Sequence, residues 1–206
     1  MPGLRDIARD ALVVCAIVLT MPLWLLAYFE SRLTHGERLF AGCSEFLSLF
    51  PGPPGIFLRR GFYALTLESV AWDCHIGFGT TLAHRNVRIA SRVYMGNRCT
   101  VGCVCLEEDV TIGSNVDLLS GRRQHAFDEL DVPIQAQSKT FQQIRIGRNT
   151  WIGNSAVVMA GVGEDCVIGA GSVVVTALSP RVVAVGNPAR MVRERGLPLR
   201  SSSTLN

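Results

Sequence analysis

The chain is nearly without net charge: 20 Lys and Arg against 17 Asp and Glu leave +3 over 206 residues. A balance that small lacks the basic footprint of a nucleic-acid binder. Histidine is scarce as well, four in all, and no two stand in the H-x4-H spacing that a three-histidine zinc site would use. Cysteine is odd in number at seven, which argues against a disulfide framework. No small-x-small cleavage signature follows the first apolar run, so that run does not read as a removable signal peptide. What the chain has in excess is apolar residues, 48%, and a regular spacing of them. Its length leaves room for one principal domain and an appendage.

Between residues 70 and 175 an aliphatic anchor returns roughly every six positions. The anchors are Val70, Ile76, Leu82, Ile89, Met95, Val101, Leu106 and Ile112, then Ile146, Ile152, Val158, Val162, Ile168 and Val174. Glycine directly follows eight of them, Gly77, Gly113 and Gly153 included. The fourth position after an anchor is mostly small, as at Cys74, Thr80, Cys99, Cys105, Thr150, Ala156, Cys166 and Ser172. Six residues match neither the 3.6 of a helix nor a two-residue alternation. They fit short strands on the three flat faces of a prism, three hexads to a turn, with the turns stacked. The anchors then fill the prism, the small residue sits where two faces meet, and the glycine frees the backbone at the corner. Cys74, Cys99, Cys105 and Cys166 read as reduced core residues, with Cys103 on the opposite side of the register.

The period stops after Leu118 and resumes at Ile146, which leaves a polar excursion, loop 119–145. An interruption of that length is unusual in a solenoid unless it has a use. It holds His125. On its own a loop histidine reads as a solvated side chain.

Over residues 70–195 the chain resembles the hexapeptide-repeat acyltransferases, which are left-handed parallel β-helices. Its stretch 151–175 followed by 182–190 is similar to the sugar O-acetyltransferase branch, which includes galactoside and maltose acetyltransferases, and to exopolysaccharide and capsule acetyltransferases. His125, Pro133-Ile134, Ile146-Gly147 and Trp151-Ile152-Gly153 stand in that family's order. The resemblance implies the hand of the coil, which departs from the usual right-handed crossover. It implies His125 as the general base that takes a hydroxyl proton and passes it to the CoA thiolate. It implies backbone N–H at Asn154 as the oxyanion donor, with Trp151 shaping the acyl site. Asn97 and Asp117 are implied at the acceptor, and Gly153, Ala170, Arg181, Arg190 and Arg193 at CoA. It further implies acetyl-CoA as co-substrate with no permanently bound cofactor, no metal, and a homotrimer with its sites between subunits. One departure stands out. The family's Thr-Lys after the last coil is Val175-Thr176 here, so the lysine is missing and Arg181 is its expected stand-in. The group orienting His125 stays open among Asp117, Asp128, Glu129, Asp131 and a backbone carbonyl.

Ahead of the repeat, residues 1–33 are a hydrophobic helical extension. Residues 11–29 carry no charge and are long enough for a bilayer core of about 30 Å. Pro22 also permits a kinked, re-entrant helix, and the two readings stay open together. Residues 34–69 are a Pro/Gly-broken segment. Its part 46–67 reads either as membrane-proximal, with Arg59 and Arg60 on lipid headgroups, or as a cap on the open end of the prism. Residues 196–206 read as a disordered tail. The fold expected is therefore mainly β, a left-handed parallel β-helix with an N-terminal hydrophobic helical extension and one excursion loop. The function expected is an acetyl-CoA-dependent O-acetyltransferase acting on the sugar hydroxyl of a glycan precursor. It would contact membrane lipid through residues 11–29 and 46–67, at the cytoplasmic face of a bacterial inner membrane. The rivals are a non-catalytic membrane scaffold, an amino acceptor in place of the hydroxyl, and a γ-type carbonic anhydrase, which the histidine spacing disfavours.

Overall fold

The computed structural model describes residues 4–196; the expected disordered tail beyond Gly196 lies outside them. A strand of two residues buries almost nothing alone, so each hexad must stack on another. The first turn is β1 (Ser69–Val70), β2 (His75–Ile76) and β3 (Thr81–Leu82), and the second is β4 (Val87–Ile89), β5 (Tyr94–Met95) and β6 (Thr100–Val101). The third is β7 (Val104–Leu106), β8 (Thr111–Ile112) and β9 (Asp117–Leu118). After the excursion come β10 (Ile144–Ile146), β11 (Trp151–Ile152) and β12 (Val157–Val158), then β13 (Val167–Ile168) and β14 (Val173–Val174), and finally the hairpin β15 (Val182–Val185) and β16 (Arg190–Glu194).

Three flat sheets result. Face 1 is β1-β4-β7-β10, face 2 is β16-β15-β13-β11-β8-β5-β2, and face 3 is β14-β12-β9-β6-β3. All pairings are parallel except β15 with β16. The mainly-β expectation holds. The anchors from Ile76 to Val174 are all buried. The small slots keep their own hydrogen bonds: Thr80 Oγ1 donates to Gly96 O at 2.8 Å, and Thr150 Oγ1 donates to Gly163 O at 2.8 Å.

Two details correct the reading of the repeat. The glycines after the anchors do not free the backbone, because none of Gly77, Gly96, Gly113, Gly147, Gly153 and Gly163 has a positive φ. They are there for closeness. A Cβ on Gly113 would lie 2.7 Å from Asn154 N, and one on Gly153 would lie 2.5 Å from Ala170 N. The left-handed positions fall elsewhere in the corners, on Arg92, Asp109, Asn149, Asp165 and Arg181 between faces 1 and 2, and on Arg98, Asn115 and Ser155 between faces 2 and 3. The second correction concerns cysteine. Cys103 is the buried one and Cys105 is only half-buried, because β7 turns Val104 and Leu106 inward and Cys105 outward. The five-residue step between Val101 and Leu106 moves the inward slot.

Helices α1 (Leu4–Thr34), α2 (Arg38–Ser48) and α3 (Gly52–Thr66) close the open end of the first turn. The chain breaks at Phe50–Pro51, and the prolines that follow start α3 in its first turn. Phe40, Leu47, Phe62 and Tyr63 join the core of the β-helix, which is the capping role. Arg59 is not on a lipid headgroup. It is wholly buried, and its guanidinium donates to Ile76 O twice, at 3.0 and 2.9 Å, to Leu47 O at 3.0 Å and to Phe50 O at 2.9 Å. Burial lowers its pKa, and the four carbonyl bonds are what make a charge tolerable there.

Candidate active site

The excursion is a folded arm. It leaves face 3 after Leu118 and rejoins face 1 at Ile144, earlier than the Ile146 of the repeat pattern. Its two limbs run antiparallel: Gln142 N donates to Ser120 O at 2.9 Å, Thr140 N to Gln124 O at 3.1 Å, and Ala126 N to Ser138 O at 2.9 Å. His125 faces Lys139 across the limbs. At the tip the side chain of Gln137 donates to Glu129 O and Val132 O, both at 2.8 Å. At the root Ser120 is buried, and its Oγ accepts from Cys103 N at 2.8 Å. The returning limb is seated on the first turn, with Phe141 against the His84 ring at 4.5 Å and Gln143 Nε2 on Asn86 Oδ1 at 2.9 Å.

His125 is thus carried on a braced element. Its Nδ1 is buried and has no hydrogen-bond partner. It lines a cavity of about 350 Å³ with Arg123, Phe127, Asp128, Ser138 and Thr140. Of the four carboxylates named as orienters, Asp128 alone shares that cavity. Ser138 and Thr140 come from the returning limb and were missed; only the antiparallel pairing brings them to His125, and six-residue counting gives no hint of it.

The remaining site residues fall into two groups. Asn97, Gly153, Asn154 and Ala170 stand in one column along the corner between faces 2 and 3. Within it Asn154 Oδ1 accepts from Ser114 N at 3.0 Å, Ser114 Oγ from Asn97 N at 3.1 Å, and Asn97 Oδ1 from Phe78 N at 3.0 Å. Asp117 lies on β9 beside that corner, and Trp151, 53% exposed, projects from face 2. Arg190 pairs with Val185 at the same end of β15. None of these lines the His125 cavity within the chain.

Arg181 stands apart. It sits on the corner between faces 1 and 2, with its N–H on Glu164 O at 2.8 Å, and Arg193 pairs with Val183 on the hairpin beside it. Val175-Thr176 is on the third corner, where a cavity of about 450 Å³ is lined by Arg122, Arg145, Gln142 and Met159. Arg122, from the root of the arm, and Arg145, on β10, are therefore the cations that share a cavity with the position of the missing lysine. The other three histidines lie elsewhere or are engaged: His75 stacks on Tyr94 at 4.6 Å, and His84 is paired with the Glu37 carboxylate. Among the described residues no group of three His, Cys, Asp or Glu could hold a metal ion. Burial raises the thiol pKa of Cys99, Cys103, Cys105 and Cys166, and takes Cys74 up to about 11. None of these is a thiolate at neutral pH.

A prism of six-residue rungs, interrupted once by a histidine-bearing arm, defines a hexapeptide-repeat β-helix. Residues 143–176 match the bacterial transferase hexapeptide family, described as six repeats. The chain is 32% identical over 145 residues to a probable acetyltransferase of Mycobacterium tuberculosis, covering 66% of this chain and 47% of that protein. It is 35% identical over 115 residues to the galactoside O-acetyltransferase of Escherichia coli, covering 53% of this chain and 54% of the relative. A solved galactoside acetyltransferase in complex with coenzyme A superposes with a TM-score of 0.64 at 25% identity, over 77% of this chain and 80% of that one. The chain spans about half the length of the curated relatives it matches.

Proposed function

We propose that the chain is an acetyl-CoA-dependent O-acetyltransferase acting on a sugar hydroxyl of a glycan precursor in polysaccharide synthesis. The observation that carries this is the imidazole of His125, held on a braced arm over a cavity with its buried Nδ1 unpartnered. The similarity to named acetyltransferases, one of them in complex with coenzyme A, supports the donor. Transfer is direct. The imidazole takes the hydroxyl proton as the oxygen attacks the thioester carbonyl, backbone N–H at Asn154 steadies the oxyanion, the C–S bond breaks, and the proton passes to the CoA sulfur.

His125 and the Trp151–Asn154 column lie on different parts of one chain, so a site that uses both takes them from two copies. That is the reason to propose a homotrimer with sites between subunits. The arm exposes Phe127, Leu130 and Ile134, and face 2 exposes Tyr94 and Trp151, which are surfaces suited to such contacts. The enzyme would work at the cytoplasmic face of a bacterial inner membrane, where acyl-CoA is available.

Calorimetry with CoA and acetyl-CoA tests the donor. Micromolar binding, about −8 kcal/mol, is expected, and silence up to millimolar ligand would leave a non-catalytic scaffold. With the donor established, His125→Ala should keep CoA binding while transfer to a screened glycan falls by about 10²–10⁴. An unchanged rate would remove His125 from the reaction.

A further inference from the structure

Helix α1 carries the longest apolar run in the chain, and among the described residues it is the one helix long and apolar enough to cross a membrane. Two points of its apolar run, however, are held at the same end of the β-helix. In its first half Ala16 is buried against α3, so closely that a Cβ on Gly61 would meet the Ala16 carbonyl at 2.7 Å. Val13 there shares a cavity of about 510 Å³ with Phe57, Arg60, Trp72 and Asp73. Near its finish Ala27 O accepts from Arg85 Nη2 at 2.7 Å, and the Glu30 carboxylate accepts from Leu39 N at 2.8 Å at the start of α2. Trp72 and Asp73 belong to the corner of the first turn between faces 1 and 2. Arg85 belongs to the corner of that same turn between faces 3 and 1.

From Val13 to Glu30 the helix rises about 26 Å. With Val13 across a cavity from one corner and Ala27 bonded at the other, this stretch lies across the end of the prism, not along its axis. The ends of a spanning helix must emerge on opposite sides of a bilayer core of about 30 Å. Val13 and Ala27 both lie beside one turn that bears Asp73 and Arg85, so this stretch stays on one side. Nor does the segment dip and return, because α1 runs unbroken through Pro22.

One side of α1, with Ala16, Thr20 and Ala27, is buried against the protein. The other exposes Leu12, Val18, Leu19, Leu25, Leu26 and Phe29, and no charge interrupts residues 11–29. We infer that this outer face docks flat on a lipid bilayer, as an in-plane helix that enters one leaflet while α2, α3 and the first turn hold its inner side. Three features commit the face to lipid. The helix bonds its own backbone, as contact with acyl chains requires, except for the one donor that Pro22 lacks. Its apolar face runs from residue 11 to residue 29 without a charge. Toward its end Trp24 packs at a tilt against Tyr28 at 5.3 Å with Arg32 over the Tyr28 ring at 5.2 Å, the aromatic and cationic chemistry of a headgroup layer. The inference rests on reading residues 11–29 as lipid-facing and is independent of the transfer chemistry.

The test places spin labels on the full chain at Leu12→Cys, Leu19→Cys and Leu26→Cys, each with Cys15→Ser. The chains are bound to vesicles of phosphatidylglycerol and phosphatidylethanolamine, and label depth is read by collisional quenching. A flat helix gives one shallow depth at all three sites. Depths that step by about 10 Å from site to site mean a spanning helix and overturn the inference. A deep label at 19 between shallow ones means a re-entrant helix and overturns it equally. Labels that stay out of lipid, with self-association rising with protein concentration, would assign the face to a second copy instead. As a second readout, Leu19→Glu should weaken vesicle binding at least about tenfold with circular dichroism and CoA binding unchanged. Undiminished vesicle binding would also overturn it. CoA titration in the same samples separates the two readings, since a chain that binds lipid flat but not CoA loses only the transfer reaction.

Discussion

Arg59 and Tyr63 lie one helical turn apart on α3, and both are wholly buried at the junction of helices and solenoid. Tyr63 shares a 2.7 Å hydrogen bond with Ser44 Oγ, and burial pushes its phenol up to about 12. The phenol of an unfolded chain ionises near 10. Below pH 10 the native state therefore carries no penalty from this group. Between pH 10 and 12 the unfolded chain loses the proton and the folded one keeps it, so stability falls as pH rises, by about 3 kcal/mol over the window. Denaturant titrations at pH 9 and pH 12 should show that loss, and Tyr63→Phe should reduce it. The burial of Arg59 was not legible in the sequence, because its carbonyl partners come from α2, the turn after it and β2. The anchors were legible because each is decided by its own spacing. Cys103 and Cys105 were misassigned because one five-residue step is enough to exchange inward for outward.

At the scale of elements, the arm was visible as an interruption but not as a structure. Its antiparallel limbs depend on pairing across 124 to 140 and 126 to 138, which no local pattern announces. Gln137 is the clamp at the tip. Gln137→Leu removes the two bonds to Glu129 O and Val132 O and leaves those carbonyls to water, at a local cost of about 1–3 kcal/mol. Hydrogen exchange should rise in residues 127–137 and stay unchanged in the β-helix. Equal protection in both would mean that the tip is held by something other than Gln137. The N-terminal helical region was legible, since the apolar run and the Pro/Gly break are local signals, and a cap was one of the two readings left open for 46–67. The seating of the helices at two corners of one turn is a long-range fact.

The whole molecule separates its expected site residues among three corners. The family resemblance groups His125, Asn154 and Trp151 as a set, but one chain does not bring them to one cavity. A trimer would, and the arm is where that claim is most exposed. Leu130 is 97% accessible in the single chain, an unusual position for leucine unless another surface covers it. Leu130→Glu should shift sedimentation from trimer toward monomer while the β-helix keeps its circular dichroism. A trimer that survives the change would move the contact away from the arm.

The solenoid is also a ruler. Each turn adds a rung of about 4.8 Å, and the arm with His125 leaves from the third turn above the helices that close the first. With α1 lying on a bilayer, the height of the imidazole above the lipid is set by a count of rungs. Were the proposed acceptor tethered in that membrane, it would be selected by how far along its length the reactive hydroxyl lies. Inserting one turn between β3 and β4 would raise that height by one rung and favour hydroxyls correspondingly farther from the tether.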